Sequence, residues 1–209
     1  MSGEIPPTVR GYEYSEVVSA LQKAIRRSDA EQAMYWSVEL EASNFGEAMW
    51  RRLRVIASED VGIAAPGIAS EVRALYDNWS DFRKRREDRQ RSWRLFTSHA
   101  VLALVSAPKS RTVDSALITF WAEIDRGDAP RLEIPDWAVD KHCLRGKKRG
   151  RSWDHFWTVG SMLVDPRSGE MSEAPSGVPD PFRDRAIEAT RRPVSTLKQG
   201  QQTLLEDES

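Results

Sequence analysis

Apolar residues recur at steps of three and four along the first 125 positions, the spacing of one face of an α-helix, and no stretch alternates with the period of two that marks a strand. Tyr14, Val17, Val18, Leu21 and Ile25 predict a first helix over about 14–26. Arg27-Ser28-Asp29 breaks it, and Ser28 with Glu31 has the spacing of a capping box. A second helix is therefore expected from near Asp29 to about Ala42, with Met34, Tyr35 and Trp36 as its bulky buried side. Asn44 with Glu47 repeats the cap for a third helix, whose stripe is Phe45, Met49, Leu53, Ile56 and Ala57. Arg51, Arg52 and Arg54 lie off that stripe, toward solvent or a partner. The third helix runs into Ser58-Glu59-Asp60, and Gly62 with Pro66 marks its stop. A helix C-terminus carries partial negative charge, so two carboxylates there need compensation. The expectation is that Glu59 and Asp60 pair with Arg51, Arg52 or Arg54, or cap the amides of a neighbouring helix.

Ile68, Val72, Leu75, Tyr76 and Trp79 predict a fourth helix over about 67–79. The basic run 83–94 follows and reads as a solvated helix extension laced with ion pairs. Leu95 to Val105 is nearly all apolar and predicts a buried helix; Val113, Leu117, Phe120 and Trp121 predict an amphipathic one ending near Ile124. Beyond Gly127 the character changes, with Pro130 and Pro135 punctuating a loop. The spacing His142-x3-Gly146-x3-Gly150-Arg151-x3-His155-Phe156 is the most distinctive feature of this half. The expected organisation is a flexible leader over 1–12, a helical domain over 13–165, and a Pro-, Ser- and charge-rich extension over 166–209. A short helix lies between Pro179 and Arg191, with disorder after about 190. The fold class is all-α, a helical bundle with an irregular C-terminal segment.

Composition changes this picture little. Hydrophobic residues make up 40% of the 209, enough for a real core, and the net charge of -1 excludes a global polyelectrolyte. One cysteine, Cys143, excludes an internal disulfide framework, and no apolar run approaches the roughly 20 residues of a membrane span. A cytoplasmic protein is the expectation. Asp140, His142, Cys143 and His155 match no standard zinc spacing, and no paired carboxylates or nucleophilic triad stand out, so no catalytic residue, metal or cofactor is assigned. The best polar signal is basic. Arg145, Lys147, Lys148, Arg149 and Arg151, with Trp153 beside them, form a candidate contact to nucleic acid, where cations release phosphate counterions and an aromatic ring stacks on bases. The run 83–94 is diluted by acids and is the weaker candidate.

The sequence also carries a resemblance. Ala57-Ser58-Glu59-Asp60-Val61-Gly62, followed by Ala64 and Pro66, resembles the C-terminal region of the RarA/MgsA family of clamp-loader-like AAA+ ATPases, in which an Arg-rich helix ends in Ala-Ser-Glu-Asp-(Ile/Val)-Gly. Ile25-Arg26-Arg27-Ser28-Asp29 and Ala33-Met34-Tyr35-Trp36 are similar to the family's Arg-Gly-Ser-Asp and Ala-Ala-Leu-Tyr-Trp, with departures at Arg27 and Met34. The match is good over about 13–125 and weak after it. It implies a helical collar and marks Ser28, Asp29, Tyr35, Trp36, Arg51, Arg52, Arg54, Ser58, Glu59, Asp60 and Gly62 as structural or interface residues. It also implies self-association into a tetramer, or docking on a separate AAA+ subunit, in DNA replication or repair. No Gly-x4-Gly-Lys-Ser/Thr phosphate loop occurs in these residues, so ATP hydrolysis is not carried over. The expectation is a non-catalytic interaction module, with sequence-independent DNA binding as the alternative.

Overall fold

The computed structural model describes residues 5–85, 87–173 and 177–191. The chain forms two compact units, Met1–Pro130 and Arg131–Ser209, which divide close to the change of character after Gly127. The expected disorder after about 190 falls almost wholly outside the described residues, as does Arg86 of the first basic run.

The first unit is all helical: α1 (Tyr14–Arg26), α2 (Ala30–Ala42), α3 (Gly46–Ile56), a π-helical turn (Ala57–Val61), a 3-10 turn (Gly62–Ala64), α4 (Ile68–Lys84), α5 (Trp93–Ser106) and α6 (Thr112–Arg126). α1, α2, α4 and α5 pack around α3, whose Met49, Trp50, Leu53 and Ile56 are fully buried. The stripes of α1 and α4 meet them through Leu21, Ile25, Val72 and Trp79. The two expected caps are replaced by a different device. Ser28 and Asn44 do not begin helices; they end them, at φ of 57° and 62°. Asp29 N–H reaches Ala24 O (2.9 Å) and Phe45 N–H reaches Leu40 O (2.9 Å), the six-residue bond of a Schellman motif at the end of α1 and of α2. Asp29 then caps α2 by accepting from Gln32 N–H (3.0 Å).

Three further expectations change. α4 runs five residues past Trp79, because Arg83 finds an acid on α2. α5 buries one face only, through Thr97, Ala100, Val101, Leu104 and Val105, and leaves Leu95 and Leu102 exposed. The buried side of α2 is Ala33, Ser37 and Leu40, with Glu39 and Glu41, while Tyr35 is exposed and Met34 and Trp36 are half-buried.

Those two glutamates hold distant segments. Glu39 is fully buried, receives Arg10 N–H (3.0 Å) and pairs with the Arg10 guanidinium. Residues 8–12, expected in a flexible leader, are thereby fastened to α2, with Val9 N–H on Ser43 Oγ (3.0 Å) as a second tie. Glu41 accepts from Trp79 Nε1 (3.1 Å), Arg83 Nη1 (3.1 Å) and Thr97 Oγ1 (3.1 Å), joining α2 to α4 and α5. Burial pushes its carboxyl up, against those three donors.

The second unit is small and irregular. It contains α7 (Leu144–Lys148), α8 (Trp153–His155), a hairpin of β1 (Leu163–Val164) and β2 (Met171–Ser172), and α9 (Arg183–Arg191). Two-residue strands are too short to show alternation, so the hairpin left no mark in the pattern.

Gly46 gives a test of the packing. Alanine is the better helix former by about 1 kcal/mol, but a Cβ here would meet Glu41 Oε1 at 2.3 Å and Trp79 Cζ2 at 2.9 Å. Gly46→Ala is expected to destabilise the protein by about 1–3 kcal/mol, the cost of overpacking, as a lowered midpoint in denaturant unfolding.

Candidate functional site

The Ser58-Glu59-Asp60 turn joins α1, α3 and α6. Asp60 is fully buried where the α-helical ladder loosens into the π turn. Its carboxylate accepts from Gln22 Nε2 (2.9 Å), Arg26 Nε (2.5 Å) and Arg111 Nη1 (3.1 Å), and its carbonyl accepts Ser110 N–H (2.9 Å). Glu59 takes second bonds from the same two arginines, Arg26 Nη2 (3.1 Å) and Arg111 Nη1 (2.8 Å). Burial pushes the Asp60 carboxyl up, and the hydrogen bonds from Arg26, Gln22 and Arg111 outweigh it, leaving the group below the usual carboxylate range. The compensating cations are thus not Arg51, Arg52 or Arg54. None of the three forms an ion pair with either carboxylate: Arg52 Nη1 donates to Gln22 Oε1 (3.3 Å) and so joins the network only through that amide, Arg54 lies over the Tyr76 ring (5.5 Å), and Arg51 is exposed. Arg26 and Arg111 are 34 and 51 residues from Asp60, so adjacency in sequence gave no signal for them.

Arg111 stands immediately before α6 and also pairs with Asp114, so this network sets where α6 starts. Gly62 lets it come close: at φ 50°, its missing Cβ would lie 2.8 Å from Val113 Cγ2. Past that first turn α6 buries nothing. Leu117, Ile118, Phe120, Trp121 and Ile124 are between 55% and 68% exposed. A groove of about 380 Å³ runs beside them, lined by Arg51, Arg54, Val55, Ser58, Val113 and Leu117, with Glu59 and Asp114 at its acidic wall. Four of the residues marked in the sequence, Arg51, Arg54, Ser58 and Glu59, therefore share this groove. Ser28, Asp29, Tyr35 and Trp36 lie elsewhere. Ser28 and Asp29 form the α1–α2 joint, Tyr35 contacts Tyr12 (Oη to Oη, 3.2 Å), and Trp36 Nε1 donates to Gln32 (3.0 Å).

In the second unit, the basic segment is split by function. Arg149 (3.0 Å) and Arg151 (2.7 Å) are bound to Asp136. Arg145, Lys147 and Lys148 are on α7 and have no acidic partner among the described residues. Trp153 is already engaged: Lys141 Nζ lies 3.7 Å from its ring centre, Trp157 stacks on it at 6.3 Å, and His142 packs edge-on at 5.5 Å. Two members of the His-Gly-Gly-His spacing, His142 and Gly146, pack against Asp140. That carboxylate accepts His142 N–H (2.9 Å) and meets His142 Nδ1 (2.8 Å), whose hydrogen bond is the main reason the carboxyl sits below its usual range. Cys143 Sγ caps α7 by accepting Gly146 N–H (3.2 Å), and a Cβ at Gly146 would lie 1.6 Å from Asp140 O. Gly150 supplies a turn at φ 69°.

The family model described as MgsA AAA+ ATPase C terminal matches residues 27–157. The chain is 29% identical over 166 residues to the replication-associated recombination protein A of Bacillus subtilis, covering 75% of this chain and 37% of that protein. It is 31% identical over 128 residues to the Haemophilus influenzae protein of the same name, covering 60% and 27%. An uncharacterized AAA domain-containing protein of Mycobacterium tuberculosis is 31% identical over 156 residues, covering 69% and 31%. The chain thus spans about a third of the length of these relatives.

Removing the Asp60 charge tests the network. Asp60→Asn is expected to cost about 2–3 kcal/mol at pH 7, less than the roughly 3–5 of a wholly buried pair, because Arg26 and Arg111 are 34% and 44% exposed and solvent screens them. The carboxyl is depressed in the fold, so its contribution is complete above the ordinary carboxylate pKa of about 3.9 and is lost as pH falls below that value. The gap in melting temperature between wild type and Asp60→Asn should stay constant from neutral pH to about 5 and narrow below about 4.

Proposed function

The chain belongs to the MgsA AAA+ ATPase C-terminal family, and on that premise we propose that it is a non-catalytic self-association module working in DNA replication or recombination repair. The observation that carries this is the uncovered apolar face of α6. Leu117, Ile118, Phe120, Trp121 and Ile124, with Val55 and Ile63 beside them, leave on the order of 700 Å² of apolar surface in water; a standard interface buries about 800 Å² per partner. A monomer rarely leaves so much contiguous apolar surface uncovered.

Charge favours a second copy as the occupant. Arg51 and Arg54 flank the first turn of α6, and Glu123 and Asp125 stand in its last turns without an ion-pair partner among the described residues. Two copies laid antiparallel, α6 on α6, place acids opposite arginines and Ile124 opposite Val113, a self-complementary two-fold contact. A second such contact through other helices gives the tetramer that the family resemblance implies. A separate AAA+ subunit carrying its own α6 equivalent would dock on the same face. The replication and recombination setting comes from the names of the relatives, and no helix among the described residues is long and apolar enough to cross a membrane.

Light scattering on a size-exclusion column is expected to give a mass above 23.8 kDa at about 50 µM protein. Trp121→Glu and Phe120→Glu, each at a hot-spot position, should weaken association about 100-fold or more and leave the melting temperature of the monomer unchanged. A wild-type monomer at that concentration would reject the reading.

A second reading, sequence-independent DNA contact, is favoured by one observation: Arg145, Lys147 and Lys148 present unpaired charge together on α7. Replacing all three with Ala is expected to reduce the slope of log K against log salt by about two to three in a fluorescence-anisotropy titration of an oligonucleotide. Replacing Arg149 and Arg151, which hold Asp136, should instead lower stability.

A further inference from the structure

A second cavity of the first unit lies away from the α6 face and plays no part in the self-association reading. It has a volume of about 530 Å³ and sits between α2, the last turn of α4 and the first turns of α5. Its two sides differ in chemistry. Met34, Val38 and Ala42 of α2 form an aliphatic wall. Arg83, Arg91 and Arg94 stand on the other side around the Trp93 indole.

The three arginines are not equivalent. Arg83 is committed: its Nη1 lies 3.1 Å from Glu41 Oε1, and its guanidinium lies over both the Trp79 and Trp93 rings. Arg91 and Arg94 have no carboxylate within ion-pair distance among the described residues, and Arg94 rests over Trp93 at 5.3 Å. The start of α5 is itself capped, since the Asp88 carboxylate accepts from Ser92 N–H (2.7 Å) and Ser92 Oγ (2.8 Å), so the positive field at the cavity comes from the arginines and not from the helix end. The one acid in the lining, Glu41, is buried and already takes three hydrogen bonds. The cavity therefore carries uncompensated positive charge at its edge and an apolar wall opposite.

We propose that this cavity binds a short acidic peptide segment of a partner protein, with a bulky aliphatic side chain against Met34, Val38 and Ala42 and flanking carboxylates on Arg91 and Arg94. The planar guanidinium fork suits a carboxylate, which it can hold through two parallel hydrogen bonds. A nucleic acid fits less well. Base stacking needs a free aromatic face, and Trp93 already carries the guanidiniums of Arg83 and Arg94 at 4.9 and 5.3 Å. Phosphates alone would leave the aliphatic wall unused.

The test uses the full chain and three fluorescein-labelled probes followed by polarisation: the peptide Glu-Asp-Leu-Leu-Glu-Asp, its Glu-Asp-Ser-Ser-Glu-Asp counterpart of the same charge, and a six-nucleotide oligothymidylate. The leucine peptide is expected to bind saturably with a Kd on the order of tens of micromolar, and the serine peptide at least tenfold more weakly. Arg91→Ala with Arg94→Ala should weaken the leucine peptide tenfold or more; both side chains are exposed, so the fold and its circular dichroism should persist. Ser98→Glu is an independent variant. It lies four residues after Arg94 on α5 and lines the cavity, so its carboxylate can occupy Arg94 internally and should reduce binding as well. Equal binding of the two peptides, binding unchanged in these variants, or tighter binding of the oligonucleotide with the same sensitivity would overturn the proposal.

Discussion

Three buried carboxylates, Glu39, Glu41 and Asp60, are the constraint on which the first unit depends. A carboxylate removed from water must be neutralised by donors, and only a few arrangements of chain supply them. Asp60 draws Arg26 from the end of α1 and Arg111 from the start of α6. Glu41 draws Arg83 and Trp79 from α4 and Thr97 from α5. Glu39 draws Arg10 from the segment before α1. Apolar stripes let the helices slide by a turn at modest cost, since one Leu or Ile replaces another. A buried acid that must meet a particular guanidinium does not allow that slip, so each of the three fixes a register.

The same logic explains why α6 stands as it does. Its first turn is held by Arg111 and by the close approach of Val113 to Gly62, and among the described residues nothing comparable acts further along. A helix fastened at one end, with an apolar face outward, is costly in a monomer but suited to association. The Ser-Glu-Asp turn then has two tasks in one place. It closes the core beneath α3 and it aims the surface that we assign to a second copy.

The second unit shows how a distinctive spacing can be structural. His142, Gly146, Gly150 and His155 are the kind of residues that suggest a ligand site. His142, Gly146 and Gly150 instead have structural tasks in a segment with little hydrophobic core. His142 satisfies the carboxylate, Gly146 admits the Asp140 carbonyl, and Gly150 reverses the chain before the aromatic cluster of Trp153, Phe156 and Trp157. Of the six Lys/Arg over 141–151, two neutralise Asp136 and one lies on an indole ring, which halves the charge available to a partner.

By itself the sequence determined the helical class, the bounds of α1, the stripe of α3 and the family motif at residues 57–66, because each depends on local periodicity or on a short contiguous pattern. Helix starts were less legible. Ser28 and Asn44 have side chains that suit either a cap or a left-handed residue, and which role is taken depends on whether the preceding helix has carbonyls to close. The pairing of Asp60 with Arg26 and Arg111 was left to the tertiary structure, since three nearer arginines had equal claim and only the packing angle of α1 and α6 separates them. Tertiary structure also decided which apolar residues are core: Leu53 and Leu117 look alike in a helical stripe, but one is enclosed by four helices and the other is exposed. Periodicity records that a helix has an apolar face; whether anything in the same chain covers that face depends on where the ends of the helix are held.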